Sequence, residues 1–101
     1  MRVEYATTRL KKICTNQREM RKKIPAENLG RVQNRLAALG VAESFEELRL
    51  SDRRGRWHEL KGDQRGKWAG WTSPNHRIIV DPREDGEVIV CVIEAVYDDY
   101  H

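Results

Sequence analysis

An apolar run near the carboxyl end constrains the fold of this chain more than any other feature. Residues 87–97 read EVIVCVIEAVY, a long segment that is rich in β-branched side chains. Such a run predicts a central strand that is buried on both of its faces. The run includes Glu94 and is too short to cross a bilayer, so we expect no membrane partner.

The length of the chain limits what can enclose this strand. A chain of 101 residues can form one modest core, and we therefore predict a single domain over residues 1–101. Charged residues make up 35% of the sequence, yet Val, Ile and Leu cluster in periodic runs. That clustering favours a folded domain over disorder.

The first half of the chain has helical patterns. Apolar side chains recur at helical spacing over residues 7–24 and again over residues 25–40, which predicts two helices joined as a hairpin. One of the threonines that open the first helix would cap it, and Gly40 suits the end of the second. Ser44 and Glu47 have the spacing of a capping box, which predicts a short helical turn.

The second half has strand patterns separated by turn-forming residues. Asp85 and Gly86 form a favourable hairpin turn between the last two of these segments. The chain is therefore predicted to be α+β, with a helical layer on a mostly antiparallel sheet. The predicted strands are residues 1–6, 56–60, 67–72, 76–82 and 87–97.

Positive charge is unevenly distributed along the chain. The net charge is only +3, but Lys and Arg outnumber acids strongly over residues 1–24 and 49–67, whereas the acids concentrate around 43–47 and 81–99. This polarity predicts a basic face for a polyanion. Ordinary solvated charge is the alternative.

Cysteine and histidine usage bears on compartment and metal binding. Cys14 and Cys91 are far apart and form no CxxC pair, and no signal peptide precedes them. We therefore expect a reduced, cytoplasmic protein with buried thiols, although the pair leaves a disulfide open. His58, His76 and His101 add no recognisable ligand spacing, so we predict neither a metal site nor a cofactor.

A basic and aromatic segment dominates the middle of the chain. Residues 53–68 read RRGRWHELKGDQRGKW, which lacks the spacing of a phosphate-binding P-loop. Cations beside aromatic rings suit single-stranded RNA, because cations hold phosphates and rings stack on bases. The alternative is a solvated hairpin with Trp57 or Trp68 in the core. The cations assigned to RNA binding are Arg54, Arg56, Arg65 and Lys67.

Arg77 lies within the apolar strand HRIIV. A strand arginine beside apolar residues is unfavourable unless its charge meets an anion or water. Arg77 is therefore either part of an anion site or a solvated arginine that points outward from the outer face of the sheet.

The chain ends on YDDYH, a concentration of side chains that can transfer protons. In an extended strand, Tyr97, Asp99 and His101 would point to one side, and Asp98 and Tyr100 to the other. A carboxylate, an imidazole and a phenol near cations would supply the proton transfer and charge compensation that phosphodiester cleavage needs. The alternative is a polar terminus without a function.

In their order, these segments resemble the HigB toxins of the RelE/ParE superfamily. The pattern of those toxins is close to hPLKGdr.G.W/Y, then an Arg-containing strand, then a terminal DYH. The corresponding text here is WHELKGDQRGKW, HRIIV and DYH, and RLKKICT is similar to the KLEKICT-like text of a shorter branch. Glu59, in place of the usual proline, and Asp98, an additional acid, depart from the pattern.

The resemblance implies a RelE-like fold, with two N-terminal helices packed on a curved, mostly antiparallel sheet. It also implies a toxin of a type II toxin–antitoxin system, a plasmid-maintenance killer protein that cleaves mRNA on the ribosome and is regulated by a helix-turn-helix antitoxin. The functional positions of the pattern match His58, Lys61, Arg77, Asp99, Tyr100 and His101.

The mechanism that this implies is attack of the RNA 2′-OH on the adjacent phosphate, without a metal. Lys61 and Arg77 would offset charge on the phosphorane, and either His58 or His101 would act as the base. A ParE-like protein that targets gyrase and a non-catalytic RNA-binding module are the alternatives.

Overall fold

The computed structural model describes the backbone of residues 1–99 and the side chains of residues 1–98. The predicted site residues Tyr100 and His101, and the side chain of Asp99, therefore lie outside the described part of the chain. Within it, the α+β class with a mostly antiparallel sheet is confirmed. The elements are β1 (Arg2–Tyr5), α1 (Thr8–Thr15), α2 (Gln17–Lys23), α3 (Ala26–Val41), α4 (Phe45–Ser51), β2 (His58–Glu59), β3 (Trp68–Ser73), β4 (His76–Asp85) and β5 (Val88–Asp99).

The single helix predicted over residues 7–24 is wrong, because the chain forms two helices there. Asn16 has extended backbone angles and interrupts the helix, while its backbone N–H still donates to the carbonyl of Lys12. Its side-chain Oδ1 accepts from the backbone N–H groups of Arg18 and Glu19, at 3.0 and 3.3 Å. Asparagine competes with helical hydrogen bonding in this way and favours cap positions. The layer predicted to contain two N-terminal helices therefore contains three.

Two N-terminal caps follow the sequence, whereas the helix end predicted at Gly40 is wrong, because α3 continues to Val41 and its C-cap is Ala42. Thr7 Oγ1 accepts from the backbone N–H of Leu10 at 3.1 Å and begins α1. The capping box is confirmed, since Ser44 Oγ accepts from the N–H of Glu47 at 3.1 Å and begins α4. The Glu47 carboxylate reaches back to the N–H of Glu43 at 3.2 Å.

The five strands lie in the order β1-β5-β4-β3-β2. Strand β1 runs parallel to β5, and every other pairing is antiparallel. The β4–β5 hairpin turns next to Gly86, which has a positive φ of 65° and suits the predicted turn. The strand predicted over residues 56–60 shortens to two residues, because Arg56 takes left-handed backbone angles and ends any extended run before it.

Side chains divide the sheet into two faces. One face packs against the helices, where Val32 and Leu39 of α3 meet Ile78 and Ile93 in the main core. On the other face, which we call the open face, Leu60, Ala69 and Ile79 form a smaller apolar cluster with Ala95 against it. These residues lie opposite one another across the strands, so His58 and Arg77 share the open face with them.

Trp57 lies in the main core and is only 3% exposed. Its indole Nε1 donates to Asp52 Oδ2 at 3.0 Å, while Trp68 stacks on Phe45 with ring centroids 4.7 Å apart. The role of base stacking that the basic segment indicated for these two rings is therefore wrong, and the alternative of core tryptophans is correct. Each ring contributes a large apolar area to the main core, and burial of that area stabilises the fold.

Candidate active site

A cavity of about 400 Å³ opens on the open face between the mid-chain segment and the start of β4. It brings together His58, Arg56 and Arg77, three residues that the sequence assigned to catalysis or RNA binding. Its lining residues are Arg56, His58, Gly70, Trp71, Pro74 and Arg77.

His58 has a defined ring orientation. Its Nδ1 lies 2.8 Å from the backbone carbonyl oxygen of Arg56. A carbonyl oxygen only accepts hydrogen bonds, so Nδ1 carries the proton. The neutral imidazole therefore leaves the Nε2 lone pair available, and this is the arrangement that a general base requires.

Arg56 holds that carbonyl in an uncommon backbone conformation. Its φ and ψ are 45° and 43°, in the left-handed region that residues other than glycine rarely adopt. The backbone N–H of Arg56 donates to the carbonyl of Arg53 at 3.1 Å, which closes a single 3-10 turn over Arg53–Gly55. Strained backbone of this kind is concentrated at functional sites, where the surrounding structure maintains it.

Arg77 forms an ion pair with Asp98 across the β4–β5 hairpin. Its Nε lies 3.2 Å from Asp98 Oδ2, and the two side chains are 18% and 34% exposed. The guanidinium of this strand arginine thus lies beside an acid of the same chain, and its role at an RNA phosphate stays a prediction. Asp98, which the sequence marked only as an additional acid, lies beside the cation of the site.

Trp71 is a lining residue that sequence reasoning missed. It lies directly opposite Arg77 across the β3–β4 pair. The guanidinium carbons of Arg31 and Arg56 lie 5.4 and 5.5 Å from the centroid of its ring, within the range of cation–π attraction. Its spacing of three from Trp68 gave a signal, because two strand residues three apart point to opposite faces of the sheet, so both tryptophans cannot serve one core face.

The other predicted cations lie outside the lining of the cavity. Lys61, Arg54 and Arg65 are exposed in the turns that flank β2. Lys67 is paired with Glu94, its Nζ 2.6 Å from Oε1, and the hydrogen bond that it donates to this carboxylate raises the pKa of Lys67. Whether these residues bind RNA stays a prediction.

The last described residues follow the predicted alternation of faces. The Tyr97 hydroxyl accepts from Asn28 Nδ2 on the helical side, and its ring stacks on His76 at 3.7 Å, whereas Asp98 meets Arg77 on the open face. The backbone of Asp99 is paired with that of His76. The predicted roles of Asp99, Tyr100 and His101 fall on groups outside the described side chains.

No group of three or more His, Cys, Asp or Glu residues in the described part of the chain could hold a metal ion. Over the same residues, no helix has the length and apolar character needed to cross a membrane.

The α+β arrangement is similar in fold to a solved structure. That structure, the YoeB/ParE toxin from Agrobacterium tumefaciens, superposes with a TM-score of 0.59 at 17% sequence identity. The match covers 99% of this chain and 100% of that one. No protein-family model matches the chain, and no curated protein matches its sequence. At this identity the likeness concerns the fold.

Proposed function

We propose that this protein is the toxin of a type II toxin–antitoxin system and a ribosome-dependent endoribonuclease of the HigB kind. The observation that carries the proposal is the cavity in which an oriented imidazole, His58, faces two guanidinium groups, Arg56 and Arg77. Such a site has a proton acceptor beside positive charge, which is what cleavage of an RNA phosphodiester needs. The toxin fold supports the same assignment.

In this proposal the RNA supplies its own nucleophile. His58 Nε2 removes the proton from the 2′-OH, the 2′ oxygen attacks the adjacent phosphorus, and the bond from phosphorus to the 5′ oxygen breaks. The products are a 2′,3′-cyclic phosphate and a 5′-OH, which forms when the departing 5′ oxygen takes a proton from an acid. The orientation of His58 favours it as the base, and His101 is then the proposed acid.

Positive charge lowers the barrier of that step. Arg77 and Lys61 offset the charge that develops on the phosphorane oxygens, and removing one such contact costs about 3 kcal/mol in comparable sites. Asp99 holds His101 in one tautomer, and Tyr100 orients a base. These three roles rest on the match of the terminal DYH to the HigB pattern.

The proposed partners follow from the same pattern. They are mRNA, the ribosome that presents it, and a cognate helix-turn-helix antitoxin that covers the toxin in the cytoplasm. Neither a metal nor another cofactor enters the proposed reaction.

The test is to express the chain in bacteria and to map the 5′ ends of mRNA. Wild type is expected to give cuts in phase with codons, while His58→Ala, Arg77→Ala and deletion of His101 are expected to lower cleavage by about 10²–10³ each. Arg83→Ala is the matched control, because Arg83 is an exposed arginine near the other end of β4. Wild-type rates in folded His58→Ala and Arg77→Ala proteins would defeat the assignment.

A gyrase-targeting protein of the ParE kind is the second candidate, because the similar solved structure is a YoeB/ParE toxin. DNA damage without cleaved mRNA in the same experiment would favour it. RNA binding with neither effect would favour a non-catalytic module.

A further inference from the structure

Arg31 is a cation near the candidate site that belongs to no sequence motif. It projects from the second turn of α3, and its guanidinium lies 5.4 Å from the ring centroid of Trp71. Arg56, which lines the cavity, lies 5.5 Å from the same ring. Trp71 therefore connects a cation of the helical layer with a cation of the cavity.

Helix α3 fixes Trp71 at two points that are one turn apart. Arg35, only 3% exposed, donates from Nη1 to the backbone carbonyl of Trp71 at 3.5 Å. It is held in turn by Asp52, whose Oδ2 lies 3.0 Å from Arg35 Nε. The ring of Trp71 thus has a fixed position relative to α3 and is a rigid support for other side chains.

Arg31 is itself restrained. Its Nη1 donates to Asn28 Oδ1 at 3.0 Å, and Asn28 is 8% exposed and bonded to the hydroxyl of Tyr97. A guanidinium held by a neutral amide and an aromatic ring keeps its full positive charge. Because its rotamers are already limited, little further entropy is lost when it binds an anion.

Two of the cations near these arginines are paired with acids. Arg77 is paired with Asp98, and Lys67 with Glu94. Among the described side chains, neither Arg31 nor Arg56 forms an ion pair with an acid. Two guanidinium groups that lie close to one ring and have no acidic partner among the described side chains are suited to an anion, and guanidinium matches phosphate geometry with two parallel hydrogen bonds.

We propose that Arg31 and Arg56, held on Trp71, form a second phosphate-binding subsite, which takes the RNA phosphate next to the scissile one. The inference rests on the proposed nuclease function, since it assigns the scissile phosphate to His58 and Arg77. The RNA backbone carries one phosphate per nucleotide and suits this arrangement. Arg77 and Arg56 line the same cavity, and Arg56 and Arg31 approach the same tryptophan ring. The subsite would fix the register of the RNA strand relative to His58.

The test uses uncleavable 2′-deoxy trinucleotides that differ by one charge. One ligand has two ordinary phosphodiesters, and two others carry an uncharged methylphosphonate at the first or the second linkage. Binding is measured by calorimetry at low salt. In the wild type, neutralising the flanking linkage is expected to weaken binding about tenfold, the factor for one charge-assisted hydrogen bond.

Arg31→Gln is expected to abolish this tenfold difference while it leaves the effect of neutralising the scissile linkage intact. Arg9→Gln, on α1 at the β1–β5 side of the sheet, is the control and should keep both differences. Arg56→Gln changes an exposed side chain and is the second variant if Arg31→Gln fails to fold. It is expected to reduce the tenfold difference too, and because Arg56 also lines the cavity, its effect on the scissile linkage is measured beside it.

The outcomes separate the two proposals. An unchanged tenfold difference in both folded glutamine variants overturns the subsite alone. A difference that depends on Arg31, found together with wild-type cleavage by Arg77→Ala and His58→Ala, supports the subsite and overturns the nuclease assignment. If hexaglutamate binds as tightly as the trinucleotide or more tightly, with the same dependence on Arg31, the choice of RNA as the ligand is overturned. If the folded wild type binds no trinucleotide, both the subsite and the nuclease assignment are overturned.

Discussion

Asp98 places a carboxylate where an RNA phosphate would approach Arg77. The ion pair is partly exposed, at 3.2 Å between Nε and Oδ2, so it competes with a phosphate without excluding it. Such a carboxylate lowers the positive potential of the cavity but also keeps the guanidinium in one orientation. An asparagine at this position would keep an acceptor for Arg77 Nε and remove the charge.

We therefore expect Asp98→Asn to bind an uncleavable RNA oligonucleotide more tightly, by about threefold to tenfold at low salt, as removal of one opposing charge near a phosphate should do. Fluorescence anisotropy over a series of salt concentrations measures this change in affinity. Asp81→Asn is the control, because Asp81 pairs with Arg83 farther along β4. Weaker binding by Asp98→Asn would mean that orientation of Arg77 matters more than its net charge.

Both thiols are expected to be unreactive at neutral pH. Burial raises the pKa of Cys14 and of Cys91 from 9.0 to about 11. The thiolate fraction of Cys14 should then be about 100-fold lower than that of a free cysteine at pH 8. The rate of alkylation by iodoacetamide between pH 7 and 10 tests this, with the urea-unfolded chain as the reference.

The same pKa shifts predict a loss of stability in alkali. Below pH 9 the thiols are protonated in both the folded and the unfolded chain. Between pH 9 and about 11 the thiols of the unfolded chain ionise while the buried thiols stay protonated, and this difference lowers the free energy of unfolding. The free energy of unfolding should fall over that range, and the fall should be smaller in Cys91→Ala. An equal fall in that variant would assign the effect to other groups.

Sequence reasoning located the cations of the site but not their partners. His58 and Arg77 were found because a motif surrounds them. Asp98 was not found as a partner, because its contact with Arg77 depends on the register of β4 and β5. Arg31 was not found, because its contact with Trp71 depends on the packing of α3 near β3. The register shifts between Arg77 and Ile79 and between Ile79 and Val80 cannot be read from alternation alone.

At the scale of elements, Asn16 determines how the helical layer is divided. Its side chain begins α2 and its backbone N–H closes α1. Apolar periodicity continues through this position, so the pattern over residues 7–24 predicts one helix even though a local cap divides it. Periodicity reports which side chains face the core, and it does not report where the backbone changes direction.

Asn16→Ala is expected to destabilise the protein by about 1 kcal/mol, because it removes the acceptor for two backbone N–H groups. Urea unfolding followed by circular dichroism measures the change. Asn34→Ala is the control, since Asn34 is exposed within α3, where alanine is neutral or slightly stabilising. Equal stabilities of the two variants would show that water replaces the Asn16 cap.

At the scale of the whole molecule, Trp57 joins the mid-chain segment to the sheet. The ring packs so closely over β3 that a Cβ added at Gly70 would lie 2.6 Å from Trp57 Cη2. Because Gly70 also lines the candidate site, packing of the core and the shape of the cavity depend on the same contact.

We expect Gly70→Ala to destabilise the fold by about 1–3 kcal/mol, the usual cost of overpacking. Gly30→Ala is the matched control, because a Cβ there would meet nothing within 4 Å and alanine in a helix is favoured by about 1 kcal/mol over glycine. In thermal unfolding, the Tm of Gly70→Ala should fall below that of the wild type and the Tm of Gly30→Ala should rise above it. A neutral result for Gly70→Ala would mean that Trp57 has room to shift.

The pairing of β1 with β5 bears on the order in which the sheet can form. Arg2 lies beside Val90, and β5 separates β1 from β4, so a nascent chain that lacks β5 has neither an interior for its sheet nor the Arg77–Asp98 pair. Contacts this distant in sequence form late and slow the folding of a domain. The Arg77–Asp98 pair on the open face is therefore expected to form only once β5 has joined the sheet.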